Sequence, residues 1–187
     1  SYGAVDPNGD YHLNGKLVRG KPNEDSTGYT FAGRSLVFDG VNPAINSKMT
    51  ANNASKVMTI GRLVVASGSC GEFRQGDEGT KYLSGSNWEV ESGGILSLNT
   101  SEETTKIRNW VCSATITGEG EVRAAAGIVD SDRGTSNTGT PKGGTITLDG
   151  DLTGFAGRLN AGDFGQTYST GWKQSDIVAK ISLVIGA

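Results

Sequence analysis

Acid–base catalysis needs titratable side chains held close together, and four short carboxylate groupings are the candidates: Asp77-Glu78, Glu102-Glu103, Asp130 with Asp132, and Asp149 with Asp151. Hydrolysis of a glycosidic bond takes two carboxyl groups a few ångströms apart, one of them acting as general acid. The sequence holds no Asp-Asp pair and no His-Gly dipeptide. Asp130 and Asp132 could hold calcium if their loop curls, since a hard cation wants several oxygens, but neither the EF-hand nor the glycine-rich nonapeptide pattern is present. Asp149-Gly150-Asp151 reads as a turn, because aspartate tolerates left-handed backbone beside glycine. His12 is the only histidine, so a triad or a poly-histidine metal site has a single anchor, and its neighbours place it on a strand. No catalytic residue and no cofactor is assigned.

Cys70 and Cys112 are too few for a four-ligand zinc site and too far apart for a CxxC redox pair. Two readings stay open for them. One is a disulfide pinning the 69–79 segment, which in an oxidising compartment stabilises by roughly 3–4 kcal/mol on the loop-entropy model. The other is a pair of buried free thiols. The better ligand surface is aromatic: Trp88, Trp110, Trp172, Tyr82 and Tyr168 can stack on sugar rings if their faces are open, although a tryptophan can equally plug the interior of a repeat protein.

The elements that must position these residues are strands. Glycine supplies 29 of 187 residues and proline only 4, with no Gly-X-Y period, so the glycines serve turns and not collagen. Six segments repeat a phrase in which glycine leads into an aliphatic alternation: 33–40, 61–68, 94–99, 120–127, 144–150 and 157–162. Their opening glycines are 28, 33, 26, 24 and 13 residues apart (33, 61, 94, 120, 144, 157). Repeats of this length cannot bury an apolar face alone and must stack on one another. Leu36, Leu63, Leu96, Val122, Ile146 and Leu159 are expected to form one interior ladder, with Ser35, Ser97, Arg123, Thr145 and Thr147 facing outward. No sustained helical stripe appears. The expectation is an all-β single domain over 1–187, a single-stranded parallel β-helix or solenoid, with 1–30 as an N-terminal cap region and loop excursions at 69–79 and 128–143. An antiparallel β-sandwich is the alternative, since Asn8-Gly9, Asn14-Gly15, Asp39-Gly40 and Asp149-Gly150 are hairpin-type pairs.

The run Gly143-Gly144-Thr145-Ile146-Thr147-Leu148-Asp149-Gly150-Asp151-Leu152-Thr153-Gly154-Phe155-Ala156-Gly157-Arg158-Leu159 resembles the autotransporter-associated β-strand repeat, whose usual form reads GGTLTLSGDNSGFTGTLTV. Tyr29-Thr30-Phe31-Ala32-Gly33-Arg34-Ser35-Leu36-Val37-Phe38-Asp39-Gly40 is similar to the opening coils of such proteins, and the segments 88–98 and 114–122 continue the style, so that about half of the chain is covered. The resemblance implies a right-handed parallel β-helix, secreted or held at a bacterial cell surface, with an adhesive, structural or scaffolding role. No translocator barrel or sorting tail of that family follows Ala187, so the chain is expected to be an excised piece or to be anchored by other means. The opening Tyr2-Gly3-Ala4-Val5-Asp6 also resembles the start of pectate-lyase-like and phage tailspike chains, but Pro7-Asn8-Gly9-Asp10-Tyr11 does not continue that pattern.

Charge and hydropathy narrow the partners. With a net charge of −3 and both signs interspersed, the chain lacks the basic footprint of a nucleic-acid binder. No apolar run approaches the ~20 residues of a membrane helix, and direct membrane insertion is not expected. The chain starts Ser1-Tyr2-Gly3 without methionine, so a signal segment, if one existed, is expected to have been removed. The expected partners are a host or environmental glycan or a surface protein. A non-enzymatic surface module is therefore the first reading, a carbohydrate-binding module the second, and a polysaccharide lyase or hydrolase the third.

Overall fold

Runs in which apolar and polar residues alternate become strands here because a strand sends successive side chains to opposite faces. Asn87-Trp88-Glu89-Val90 is a plain case: Trp88 and Val90 are fully buried, whereas Asn87 and Glu89 are exposed. A computed structural model describes residues 4–5, 11–13, 29–30, 35–40, 47–48, 57–74, 79–99, 108–125, 144–162 and 182–186. Strands β1 (Ala4–Val5) and β2 (Tyr11–Leu13) lie in a first sheet and β3 (Tyr29–Thr30) in a third. From there the chain visits first, second and third sheets in constant order. It does so with β4 (Ser35–Phe38), β5 (Ser47–Lys48) and β6 (Val57–Thr59), and then with β7 (Arg62–Val65), β8 (Cys70–Arg74) and β9 (Gly79–Ser84). The next turns are β10 (Asn87–Val90), β11 (Ile95–Asn99) and β12 (Arg108–Cys112), followed by β13 (Ile116–Gly118), β14 (Glu121–Ala125) and β15 (Thr145–Leu148). A last turn has a Gly118–Phe155 bridge at the first sheet, then β16 (Arg158–Gly162) and β17 (Ser182–Ile185).

Every strand pairing is parallel except β1 with β2. The described residues are therefore all-β, without helix, and their parallel strands in three sheets fit a parallel β-helix or solenoid. The antiparallel sandwich is set aside: the Asp39-Gly40 and Asp149-Gly150 pairs lie between strands of different sheets, not between hairpin partners.

The expected single aliphatic ladder is in fact three. In the first sheet Leu36, Leu63, Trp88 and Ile116 stand in register. In the second the row is Gly71, Leu96, Val122 and Leu159, and in the third Leu83, Cys112, Leu148 and Ile185. The glycine-led phrases had uneven spacing because they open strands on different sheets: β4 and β7 on the first, β11, β14 and β16 on the second, β15 on the third. Ser35 and Ser97 were expected to face solvent, yet both are buried. Ser35 accepts a hydrogen bond from the Arg62 guanidinium at 2.8 Å, and Ser97 sits in a row of polar residues on a covered face.

The core is continuous through the turns and contains an aromatic run. The Phe38 and Phe73 rings meet edge to face at 5.8 Å, and Phe73 stacks on Trp88 at 5.8 Å with planes 20° apart. The Trp88 indole donates to the Ile60 carbonyl at 2.8 Å, which satisfies its one polar group inside the core.

The connections differ by corner. First-to-second and third-to-first passages are short, whereas second-to-third passages run over residues 75–78, 100–107, 126–144 and 163–181 in successive turns, that is 4, 8, 19 and 19 residues. The segment 69–79 is not an excursion, because β8 within it pairs with β11 along its whole length. The other expected excursion, 128–143, lies outside the described residues.

Candidate functional site

The stack has three outer faces, and each carries different chemistry. On the first, Arg62 and Glu89 are exposed, and His12 Nδ1 lies 2.6 Å from Asp39 Oδ2, tying β2 to the residue that follows β4. His12 is thus an intercoil contact in the described structure.

The second face is polar but covered. Alternation sends Glu72, Ser97, Asn99, Glu121 and Arg123 outward, opposite to the apolar row of the same strands, and all but Arg123 are buried. Glu121 is the hub: Arg123 Nε donates to one carboxylate oxygen at 2.6 Å, and Arg158, from the next turn, donates to the other at 2.7 Å. Asn99 donates to Glu72 at 3.0 Å. Burial by itself pushes the Glu121 carboxyl up, but hydrogen bonds and charge from Arg123 and Arg158 outweigh it and hold the group below its ordinary value.

A group held low contributes stability above its unfolded value, and that contribution is lost as pH falls through the folded one. Glu121→Gln should therefore cost about 1–3 kcal/mol at neutral pH. The Arg158 arm adds little, because that side chain is largely exposed. Urea unfolding of both proteins should show the difference narrowing below pH 4.5, the ordinary value for the group; a gap that stays constant into acid would mean that the ion pairs are not its source.

The aromatic residues singled out in the sequence separate sharply. Trp88 and Trp110 are 0% and 2% exposed, so neither offers a face to a sugar. Trp110 is fixed by donation from its indole to the Asn99 carbonyl at 3.0 Å. Both were misplaced because a tryptophan amid polar neighbours reads alike whether its strand turns it in or out. Tyr82 is 44% exposed on the third face. Trp172, Tyr168, Asp130 and Asp132 lie outside the described residues, as do Asp77-Glu78 and Glu102-Glu103.

Cys70 and Cys112 are both free and buried, so the disulfide weighed from the sequence is absent. Cys70 is on the outward row of β8 and Cys112 on the inward row of β12, in different sheets and successive turns. Burial pushes both thiols up to about 12, with Glu72 adding to the rise at Cys70 and an Ala114 backbone hydrogen bond opposing it at Cys112. Thiols held protonated in this way are poor nucleophiles. Asp151 accepts from the Thr153 amide and hydroxyl at 2.9 and 2.7 Å, closing a turn. Among the described residues no group of three or more His, Cys, Asp or Glu side chains could hold a metal ion.

Sequence reading missed the Glu121 hub. Its partners are two and 37 residues away, and only Glu121-Val122-Arg123 gives a local sign, two opposite charges on one side of a strand. Fold and faces together define a class: an all-β stack of parallel strands whose described surface is built for contact and contains no assembled acid–base pair. Compared with known proteins, the chain matches no family model, no curated protein and no solved structure.

Proposed function

We propose that this chain is a module of an exported bacterial surface protein, a right-handed single-stranded parallel β-helix that serves as a rigid frame for adhesive or structural contacts. The observation that carries the reading is the placement of added length. Register is kept from turn to turn on all three sheets, while the second-to-third corner passes connections of 4, 8, 19 and 19 residues (75–78, 100–107, 126–144, 163–181). A stack tolerates this because each turn touches only its neighbours, so an insertion at a corner leaves the ladders intact. Variable connections gathered at one corner of a constant frame are what a contact surface requires. Right-handedness is the general rule for crossovers between parallel strands. The resemblance to the autotransporter-associated repeat supports the exported, surface-bound setting.

The test replaces residues 126–143 by a four-residue Gly-Ser linker, the length that suffices between β8 and β9. The frame should keep its β circular dichroism and lose no more than about 1 kcal/mol, since loop length enters stability only logarithmically. Loss of the folded signal would refute the division into frame and corner loops.

A further inference from the structure

The third outer face differs from the other two in carrying no charge. Tyr82, Val111, Thr147 and Val184 stand in register on β9, β12, β15 and β17. Thr80, Asn109 and Thr145 form the row beside them, and none of the outward positions within these four strands is Asp, Glu, Lys or Arg. The first face shows Arg62 and Glu89 to solvent, and the second holds the Glu121 network under cover. The third is open: Tyr82 and Val184 are each 44% exposed, and Val111 and Thr147 are partly so. With turns about 4.8 Å apart, the central row runs for about 14 Å along the stacking direction.

The row is apolar and flanked by hydroxyls. Asn109 is pinned in place, its Oδ1 accepting from the Thr145 amide at 2.8 Å and its Nδ2 donating to the Thr80 hydroxyl at 3.5 Å, so the polar row keeps a fixed position beside the apolar one. An uncharged polysaccharide has the complementary make-up, with C–H faces on its rings and hydroxyls around their rims. A charged polymer would meet no opposite charge here to offset its lost hydration. We propose that the third face binds a neutral polysaccharide lying along the stacking direction, with ring faces on the Tyr82–Val184 row and hydroxyls turned to Thr80 and Thr145. This goes beyond the framework role and is independent of the corner loops.

Calorimetric titration of the full chain with cellohexaose, xylohexaose and mannohexaose, and with polygalacturonate as the charged comparison, tests it. At least one neutral oligosaccharide should bind and polygalacturonate should not. Tyr82→Ala should weaken binding about tenfold by removing the stacking surface. Val111→Asp, which puts a charge in the centre of the row, should abolish it, and Glu89→Gln on the first face should leave it unchanged. Circular dichroism establishes that each variant is folded. The proposal is overturned if no neutral oligosaccharide binds, if affinity survives Tyr82→Ala, or if the protein sediments as a dimer that Tyr82→Ala dissociates, which would make the face a contact between two copies.

Discussion

Trp88→Ala is expected to lower the unfolding free energy by about 3–5 kcal/mol, the range for emptying a buried tryptophan site. Several losses combine at this position. The side chain is fully buried, it stacks on Phe73, and its indole donates to the Ile60 carbonyl, which the variant leaves without that donor. Phe73 in turn packs on Phe38, so the cavity opens in the middle of a run spanning successive turns. Domains of this kind have about 5–15 kcal/mol in total, so the variant should lose much of its stability. The shift of the urea midpoint measures this. Trp88→Phe, which keeps a ring but not the indole N–H, should lose less. A Trp88→Ala protein as stable as the parent would mean that the residue is not in the core, and would reopen it as a ligand-facing aromatic.

Gly118→Ala is expected to cost about 2–5 kcal/mol through backbone strain and steric conflict together. Gly118 has φ +101°, where residues with a side chain rarely go, and an added Cβ would collide with the Val90 carbonyl of the turn beneath. Two other glycines separate these causes. Gly68 has φ +78° but open space around its Cβ position, so Gly68→Ala should show strain alone, about 1–2 kcal/mol. Gly61 has no neighbour within 4 Å and no positive φ, so Gly61→Ala should be neutral or stabilising by up to about 1 kcal/mol. Chemical denaturation of the three variants should rank them in that order. Equal losses at Gly61 and Gly118 would contradict the close stacking of turns at this corner.

Much of the frame was legible in the residues. Arg62-Leu63-Val64-Val65 and Thr145-Ile146-Thr147-Leu148 announce strands by alternation, and glycine before each marks the turn into it. Which side of a strand becomes interior was less so. In Ile95-Leu96-Ser97-Leu98-Asn99 the polar Ser97 and Asn99 are as buried as the leucines, because the outer face of the second sheet is covered, and alternation alone reads both as exposed. Trp88 occupies the inward row next to Leu63 although no glycine-led phrase opens its strand.

The candidate surface was visible only in part. Tyr82 stands out as an aromatic, but Val111 and Thr147 lie 29 and 36 residues further along at successive steps (82, 111, 147), and nothing local joins them. The sequence alone determined where strands and turns fall, because alternation and glycine act over a few neighbouring residues. The tertiary structure alone decided which residues share a row: that Glu121 meets Arg158, that Trp88 covers Phe73, and that Tyr82 shares an uncharged face with Val184. Register between turns is set by backbone ladders and by burial of the apolar rows, while the corner connections change length from turn to turn, so spacing along the chain does not carry it.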